Sequence, residues 1–485
     1  MKQERVRKHV SHMLKAVIPV VIQDEKATVK VWHSVLEDTM NGEKKEVPKG
    51  TLGLVELYCL SIGQVIGAGV ITLVGPAITA TGYSAWLAYF LAIVVGFLTV
   101  FPLIFICGTL RLGGGYYSLI GALTNKTLAG MYAFAQLTKL LSISLFAVSL
   151  GVYIQSLFPQ VNTMISGVAF LTFFYVVNLC GIDIMAKIQK YMTWVLIAAL
   201  LMFIVFGLKN YNHPVFDFKN QNFMTNGISG LWTASFLFVY STTGYSMTMN
   251  YGLAARNPQR DIPWALILSV PTLVILYCGV AAAGSCVLPM EEVMDQPLTL
   301  VARVALPKVL FVAFIVGGPI MALLTTMNST MPANCLPIMV SCNDGWLPTS
   351  FGSRNKRGVA WKIMTLNYLL GLVPLLLGFN VKTITNNIML LNSCMYLMCF
   401  YAYFQLPKRY PDAWKRSKWH VPNSFYYTVC AVGLICQCAI LINSAFALTP
   451  VIAIVSIAAI VICCGLGFVR AKSPNVSVSS TIWED

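Results

Sequence analysis

Three residues near the middle of an apolar stretch could do chemistry through their backbone rather than through their side chains. Residues 61–77 read SIGQVIGAGVITLVGPA, with Gly67, Ala68 and Gly69 near the centre. Glycine lets the backbone leave helical geometry, and an unwound turn leaves N–H and C=O groups without helical partners. Such N–H groups favour a carboxylate and such carbonyls favour an ammonium group. A free α-amino acid carries both charges on one carbon.

The same glycines would also allow two helices to pack closely, and that reading stays open for this stretch alone. A second interruption favours the binding site. Residues 238–248 read FVYSTTGYSMT, and Ser241, Thr242, Thr243 and Gly244 lie at its centre. Hydroxyl side chains can bond the backbone and open a helix locally. Paired interruptions at corresponding positions are typical of transporter sites at a repeat interface.

Apolar segments long enough to cross a bilayer position both interruptions. The chain has 485 residues, of which 57% are hydrophobic and 11% charged. This composition predicts an all-α polytopic membrane protein with about twelve transmembrane helices. We number the predicted segments 1 to 12; they cover residues 54–80, 84–107, 127–158, 162–182, 188–207, 228–252, 262–288, 305–342, 361–379, 384–405, 424–446 and 448–470.

The basic residues predict the orientation of the segments. The net charge is +15, and Lys and Arg concentrate in the connections after even-numbered segments. The opposite connections hold only Lys209, Lys219, Arg303, Lys308 and Lys382. Basic residues favour the cytoplasmic side, so we expect a plasma-membrane protein with both termini in the cytoplasm and no role in nucleic-acid binding. The predicted domains are an N-terminal tail (1–49), a transporter domain (50–470) and a C-terminal tail (471–485).

Chemistry of other kinds has little support in the sequence. The five histidines lie outside the segments, the acidic residues other than Glu56 lie in tails or connections, and the fourteen cysteines show no metal-ligand spacing. We therefore expect no enzymatic activity, no cofactor, no bound metal and no obligate protein partner. A channel and a non-transporting sensor remain alternatives, although a sensor usually adds a soluble output domain.

Five motifs occur in order and resemble those of one transporter family. They are GQVIGAGVITLVGPA in segment 1, GGGYY at 113–117, GYSMTMNYGLAARNPQRDIPWAL from segment 6, SCNDGWLP at 341–348 and KRYPDAWKRSKWHVP after segment 10. Together they resemble the amino acid permeases of the amino acid–polyamine–organocation superfamily across residues 50 to about 470. The resemblance implies a five-plus-five inverted repeat with segments 1 and 6 broken around the substrate.

The resemblance also implies a function and a set of binding residues. It implies secondary active transport of amino acids, with exchange, Na⁺ coupling and H⁺ coupling all open, and with a polyamine or amine transporter as the alternative. Carboxylate contacts fall on Gly67, Ala68 and Gly69, and ammonium contacts fall on the carbonyls of Val65, Ile66, Tyr240 and Ser241. The ring of Tyr240 is a candidate gate, with plain packing as the alternative. Thr243 and Gly244 complete the predicted substrate site.

The sequence departs from the family pattern where many members carry a cation in segment 5. That position aligns with Leu196, and the acidic pair common after segment 6 aligns with Leu253 and Ala254. Lys139, in contrast, lies in the middle of segment 3, where an ionisable side chain is costly and usually functional. Its ammonium could replace the missing cation or bind an acidic substrate side chain. The alternatives are a side chain that reaches out to the membrane surface and a segment 3 with other bounds.

Segment 8 offers a second set of coupling residues. Thr325, Thr326, Asn328 and Ser329 follow one another closely along it. Their hydroxyl and amide groups could complete a sodium site with carbonyls of segment 1. Bonding of the hydroxyls to their own helix explains them equally well.

Overall fold

A computed structural model describes residues 50–67, 69–378, 381–446, 448, 450–478 and 482–483. The chain over these residues is predominantly α-helical. The predicted N-terminal tail (1–49) and Ala68 lie outside the described residues.

The first six segments form helices that are interrupted at several points. The 3₁₀-helices among them are Gly82–Ser84, Gln136–Leu141 and Tyr245–Tyr251. The α-helices are Leu54–Val65, Gly69–Thr72, Val74–Thr81, Ala85–Thr109, Gly115–Leu123, Lys126–Ala135, Ser142–Leu157, Thr163–Leu179, Ile182–Lys209 and Gly227–Thr242.

The later segments include two π-helical turns, Val274–Cys278 and Val316–Ile320, and one 3₁₀-helix, Thr349–Gly352. The α-helices are Pro258–Leu273, Gly279–Cys286, Met290–Val293, Thr299–Ala305, Lys308–Ile315, Met321–Asn343, Trp361–Leu376, Val381–Tyr403, Leu406–Arg409, Pro411–Arg416, Asn423–Phe446 and Pro450–Ala471.

When adjoining helices are joined, seven helical stretches of the described residues are long and apolar enough to cross a membrane: Gly69–Thr109, Lys126–Gln155, Ile182–Lys209, Pro258–Cys286, Lys308–Asn343, Asn423–Phe446 and Ile452–Ala471. Five shorter apolar helices accompany them: Leu54–Val65, Thr163–Leu179, Gly227–Val239, Trp361–Leu376 and Ile388–Tyr403. The prediction of a helical polytopic membrane protein is confirmed at this level.

The end of the chain packs back onto two connections between segments. The backbone N–H of Ser477 donates to Asp344 O at 2.9 Å, and the Trp346 indole donates to Ser477 O at 3.1 Å. Strand β2 (Ile482–Trp483) pairs antiparallel with strand β1 (Arg111–Leu112). The described residues after segment 12 therefore contact the connections that follow segments 2 and 8.

The interior of the described structure is built around segments 1 and 8. In the helix Leu54–Val65 every residue from Cys59 to Val65 is buried, and most of Met321–Asn343 is buried as well. The helix of segment 12 is the least buried of the seven long helices. The residues that precede the interruption of segment 1 are therefore buried, so its unwound backbone must be satisfied by protein groups or by a cavity.

Candidate functional site

Segment 1 breaks at the glycines. Its first helix ends at Val65, and Ile66 takes an extended conformation with φ −77° and ψ 91°. The N–H of Gly67 turns back to donate to Val65 O at 2.9 Å. Helical structure resumes at Gly69 and runs on through Leu73, which keeps helical dihedrals. The break spans about one turn, as the glycines predict.

Segment 6 breaks where its hydroxyl residues end. The helix Gly227–Thr242 stops at Thr243, which is extended, and Gly244 adopts φ +130° before the 3₁₀-helix Tyr245–Tyr251 begins. The positive φ is a conformation that residues with a side chain rarely adopt. Thr242 Oγ donates to Val239 O at 3.1 Å and lies 3.3 Å from Ala92 O, so the last turn bonds both its own helix and segment 2.

The two breaks lie against each other. A Cβ atom placed on Gly244 would lie 2.9 Å from the carbonyl oxygen of Gln64 in segment 1. A Cβ atom placed on Gly69 would lie 2.7 Å from Cβ of Ser241 in segment 6. Cβ atoms essentially never lie within 3.0 Å of such atoms, so each glycine is required by the approach of the opposite segment.

Two buried tyrosines join the breaks. The Tyr277 hydroxyl lies 3.1 Å from Val65 O and 2.8 Å from Ser241 O. The Tyr89 hydroxyl lies 3.2 Å from Gly69 O and 3.4 Å from Ser241 Oγ. Sequence reasoning missed both residues, because nothing in the order of the chain indicates that segments 2 and 7 reach these carbonyls.

A cavity of about 840 Å³ opens beside the breaks. This volume is at the upper end of the range for small-molecule sites, roughly 300–1,000 Å³. Of the predicted site residues, those that line it are Val65, Gly67, Gly69, Ser241, Thr243, Gly244, Lys139 and Thr326. The breaks therefore face a space large enough for a small solute, within the part of the chain that the structure describes.

The remaining predicted residues lie elsewhere or outside the described part. Ile66, Thr325 and Ser329 are buried but do not line the cavity. Ala68 lies outside the described residues, and so does the side chain of Tyr240. Its proposed role as a gate stays a prediction.

The hydroxyls of segment 8 differ in what they bond. Thr325 Oγ donates to Ala322 O at 2.9 Å and Ser329 Oγ donates to Thr325 O at 2.8 Å, so both satisfy their own helix. Thr326 Oγ lies 2.8 Å from Ala322 O in its own helix, but it also lies 2.9 Å from Gly63 O and 3.2 Å from Ile66 O, across in segment 1. Only Thr326 of the three predicted hydroxyls links segment 8 to the broken segment.

Segment 5 supplies a neutral amide at the same junction. A Cβ atom placed on Gly63 would lie 1.9 Å from Gln189 Nε2 and 3.2 Å from Cβ of Thr325, so the Gln189 side chain occupies the space between segments 1 and 8. Its Oε1 accepts a 2.8 Å hydrogen bond from Asn328 Nδ2. Leu196, aligned with the family cation, is buried and apolar. Sequence alignment pointed to Leu196 and missed Gln189, seven residues earlier.

Lys139 sits in the 3₁₀ stretch Gln136–Leu141, between the two α-helices of segment 3. Its side chain is buried, and its Nζ donates to the Tyr132 hydroxyl at 3.1 Å. The rings of Tyr116, Tyr132 and Tyr396 lie 5.1, 5.6 and 5.4 Å from Nζ. The lysine therefore faces aromatic rings and the cavity rather than the membrane surface.

Comparison with known protein families gives a match over most of the chain. The family model described as amino acid permease matches residues 52–483 of the chain. The chain belongs to the amino acid permease family. The resemblance found in the five motifs is thereby confirmed over nearly all of the described residues.

Several curated relatives of the permease have names that state a function. The branched-chain amino acid permease BcaP of Bacillus subtilis is 23% identical, over 69% of this chain and 77% of BcaP. The general amino acid permease AGP3 of Saccharomyces cerevisiae is 22% identical, over 77% of this chain and 68% of AGP3. The aromatic amino acid transport protein AroP of Escherichia coli K12 is 22% identical over about half of each chain.

The family assignment confirms several sequence-based expectations. The permease is a multi-pass membrane protein, and its family supports amino acid transport rather than an enzymatic reaction. The names of these relatives mention different classes of amino acid, so they do not identify the side chain of the permease's substrate.

Proposed function

We propose that the permease is a secondary active transporter that moves amino acids by alternating access around the paired breaks. The observation that carries the proposal is the meeting of the two breaks on one cavity, with Gly69 against Ser241 and Gly244 against Gln64. Unwound backbone of this kind offers both N–H and C=O groups to a solute at membrane depth. An α-amino acid carries a carboxylate, which the N–H groups would bind, and an ammonium group, which the C=O groups would bind.

The hydrogen bonds at the breaks support a division of roles. Gly67 N–H already donates to Val65 O, so the N–H groups available to a carboxylate are those at the start of the helix that resumes at Gly69. The single proton of the Tyr277 hydroxyl is shared between Val65 O and Ser241 O, which leaves acceptor capacity for an ammonium group. Both charges of an amino acid would thus find partners within one turn of backbone.

The finer architecture belongs to the same proposal. Seven long and five shorter apolar helices would supply twelve spans, with segments 1–5 and 6–10 as two inverted repeats that each begin with a broken segment. The basic connections support cytoplasmic termini, and we place the permease in the plasma membrane.

Ion coupling would act at the junction of segments 1, 5 and 8. Thr326 Oγ lies among the carbonyls of Gly63, Ile66 and Ala322, all within 3.2 Å. Carbonyl and hydroxyl oxygens are ligands that bind sodium ions. The uncharged side-chain amide of Gln189 lies beside segment 1 at this junction and carries N–H donors. The proposal has three forms: exchange without sodium, sodium coupling through Thr326, and proton coupling.

Purified permease in liposomes would test these proposals. We expect saturable uptake of a labelled amino acid that is accelerated by the same amino acid inside the vesicle. Replacing Na⁺ by choline and imposing a pH gradient distinguish the three coupling modes. Non-saturable net flux would favour a channel, uptake of polyamines but not amino acids would favour the amine alternative, and binding without flux would favour a sensor.

A further inference from the structure

We propose that Lys139 is a specificity-determining residue and that the preferred substrates are acidic amino acids, which carry a carboxylate on the side chain. The inference rests on the proposed function, because it assigns the α-amino and α-carboxyl groups to the breaks. Lys139 then binds the part of the substrate that extends beyond them.

The charge of the cavity wall carries the argument. Among the described residues that line the cavity, Lys139 is charged, and no Asp or Glu accompanies it. The described ion pair of the chain joins Lys190 to Glu56 and leaves Lys139 out. The cavity therefore presents one positive charge with no protein carboxylate to balance it. A zwitterion with a neutral side chain adds no net charge, whereas an acidic amino acid adds the one negative charge that is missing.

The surroundings of the ammonium support the same reading. An ammonium group has three N–H donors, and the described structure gives it one acceptor, the Tyr132 hydroxyl. The three tyrosine rings favour the charged form through their faces, yet rings supply no full negative charge. A substrate carboxylate would accept further hydrogen bonds from the Lys139 ammonium and would balance its positive charge.

Polar side chains next to Lys139 hold the backbone of this region in place. Asn334 Nδ2 donates to Lys139 O and to Ser142 Oγ, both at 3.0 Å. Asn334 and Ser142 also line the cavity. These bonds tie the 3₁₀ stretch of segment 3 to segment 8 and fix the backbone from which the lysine projects.

The position of Lys139 argues against its use as a substitute for the segment 5 cation. Such a substitute would have to meet carbonyls of segment 1. The partners of Lys139 lie instead on segments 3 and 10 and on the helix Gly115–Leu123. The junction between segments 1 and 8 holds Gln189 instead.

The first test measures how well unlabelled compounds inhibit uptake of a labelled amino acid by the wild-type permease in liposomes. The competitors are two isosteric pairs, glutamate with glutamine and aspartate with asparagine. Each pair differs by one charge at nearly constant shape. We expect the acid to compete at least tenfold better than its amide, and lysine and putrescine to compete worst. Equal competition within both pairs would overturn the inference while leaving amino acid transport intact. Failure to transport any amino acid would instead refute the proposed function.

Variants of Lys139 then test whether this residue causes the preference for acidic substrates. Lys139→Met keeps length and apolar stem but removes the charge, and should bring the glutamate-to-glutamine ratio close to one. Lys139→Arg keeps the charge and should retain a preference for the acid. Lys308→Met removes an exposed lysine at the start of segment 8 and serves as the matched control, with the wild-type ratio. A wild-type ratio in Lys139→Met, or an equal loss of acidic and neutral substrates, would overturn the assignment.

Discussion

The close approach of segments 1 and 6 makes a sharp prediction for Gly69. In Gly69→Ala the new methyl carbon would lie 2.7 Å from Cβ of Ser241 and 3.2 Å from a methyl carbon of Leu73. Relief of the first contact requires the two breaks to separate by about 1 Å, since carbon atoms prefer about 3.5–4.0 Å. Insertion of one carbon into a packed site of this kind costs about 1–3 kcal/mol.

Gly67 provides the matched comparison two residues away. A Cβ atom placed there would lie 3.7 Å from Thr326 Oγ, an ordinary contact. Both substitutions reduce the freedom of the unfolded chain equally, an effect of about 0.4–1 kcal/mol, so the difference between them reports the contacts of the new methyl group, chiefly the shorter one with Ser241.

The assay is initial uptake of a labelled amino acid by proteoliposomes, normalised to correctly inserted protein. A cost of about 1–3 kcal/mol in the transport-competent state corresponds to a loss of roughly 5- to 150-fold, because 1.4 kcal/mol is a factor of ten. We expect this loss in Gly69→Ala and a loss of no more than a few-fold in Gly67→Ala. Equal activities of the two variants would refute the claim that the breaks are held in contact during transport.

Three further predictions follow from the same contacts. Thr326→Val should lower uptake about 5- to 150-fold, because it removes a hydrogen-bond partner of the segment 1 carbonyls and such a loss costs about 1–3 kcal/mol. Thr325→Val should have a clearly smaller effect, because the hydroxyl of Thr325 bonds a carbonyl of its own helix and no described carbonyl of segment 1. Tyr277→Phe should weaken the substrate's apparent affinity, because it removes the hydroxyl that lies between Val65 O and Ser241 O. The substrate concentration at half-maximal uptake measures this effect, and an unchanged value would contradict the role of the hydroxyl. Methyl esters and amides of a transported amino acid should compete at least about tenfold worse than the free acid, since a charge-assisted hydrogen bond contributes about 1.5–3 kcal/mol; equal competition would argue for an amine-only substrate.

The helical segments and both interruptions were readable from the sequence. Apolar runs of about 20 residues leave few alternatives in a membrane, because the backbone must satisfy its own hydrogen bonds there. Glycines in segment 1 and hydroxyl residues before Gly244 likewise mark where a helix can open, since these are local properties of the backbone. The resemblance to the family followed from five short motifs, two of which include residues of these breaks.

Tertiary structure decided which side chains meet the breaks. Tyr89 and Tyr277 reach carbonyls at the two breaks from segments 2 and 7, and Gln189 rather than Leu196 occupies the junction of segments 1 and 8. A helix offers a different side chain every 100° around its axis, so a small rotation or shift selects another residue, and only packing fixes that choice. The same holds for Lys139: the sequence placed a charge inside segment 3, and the fold surrounded it with three tyrosines and turned it towards the cavity.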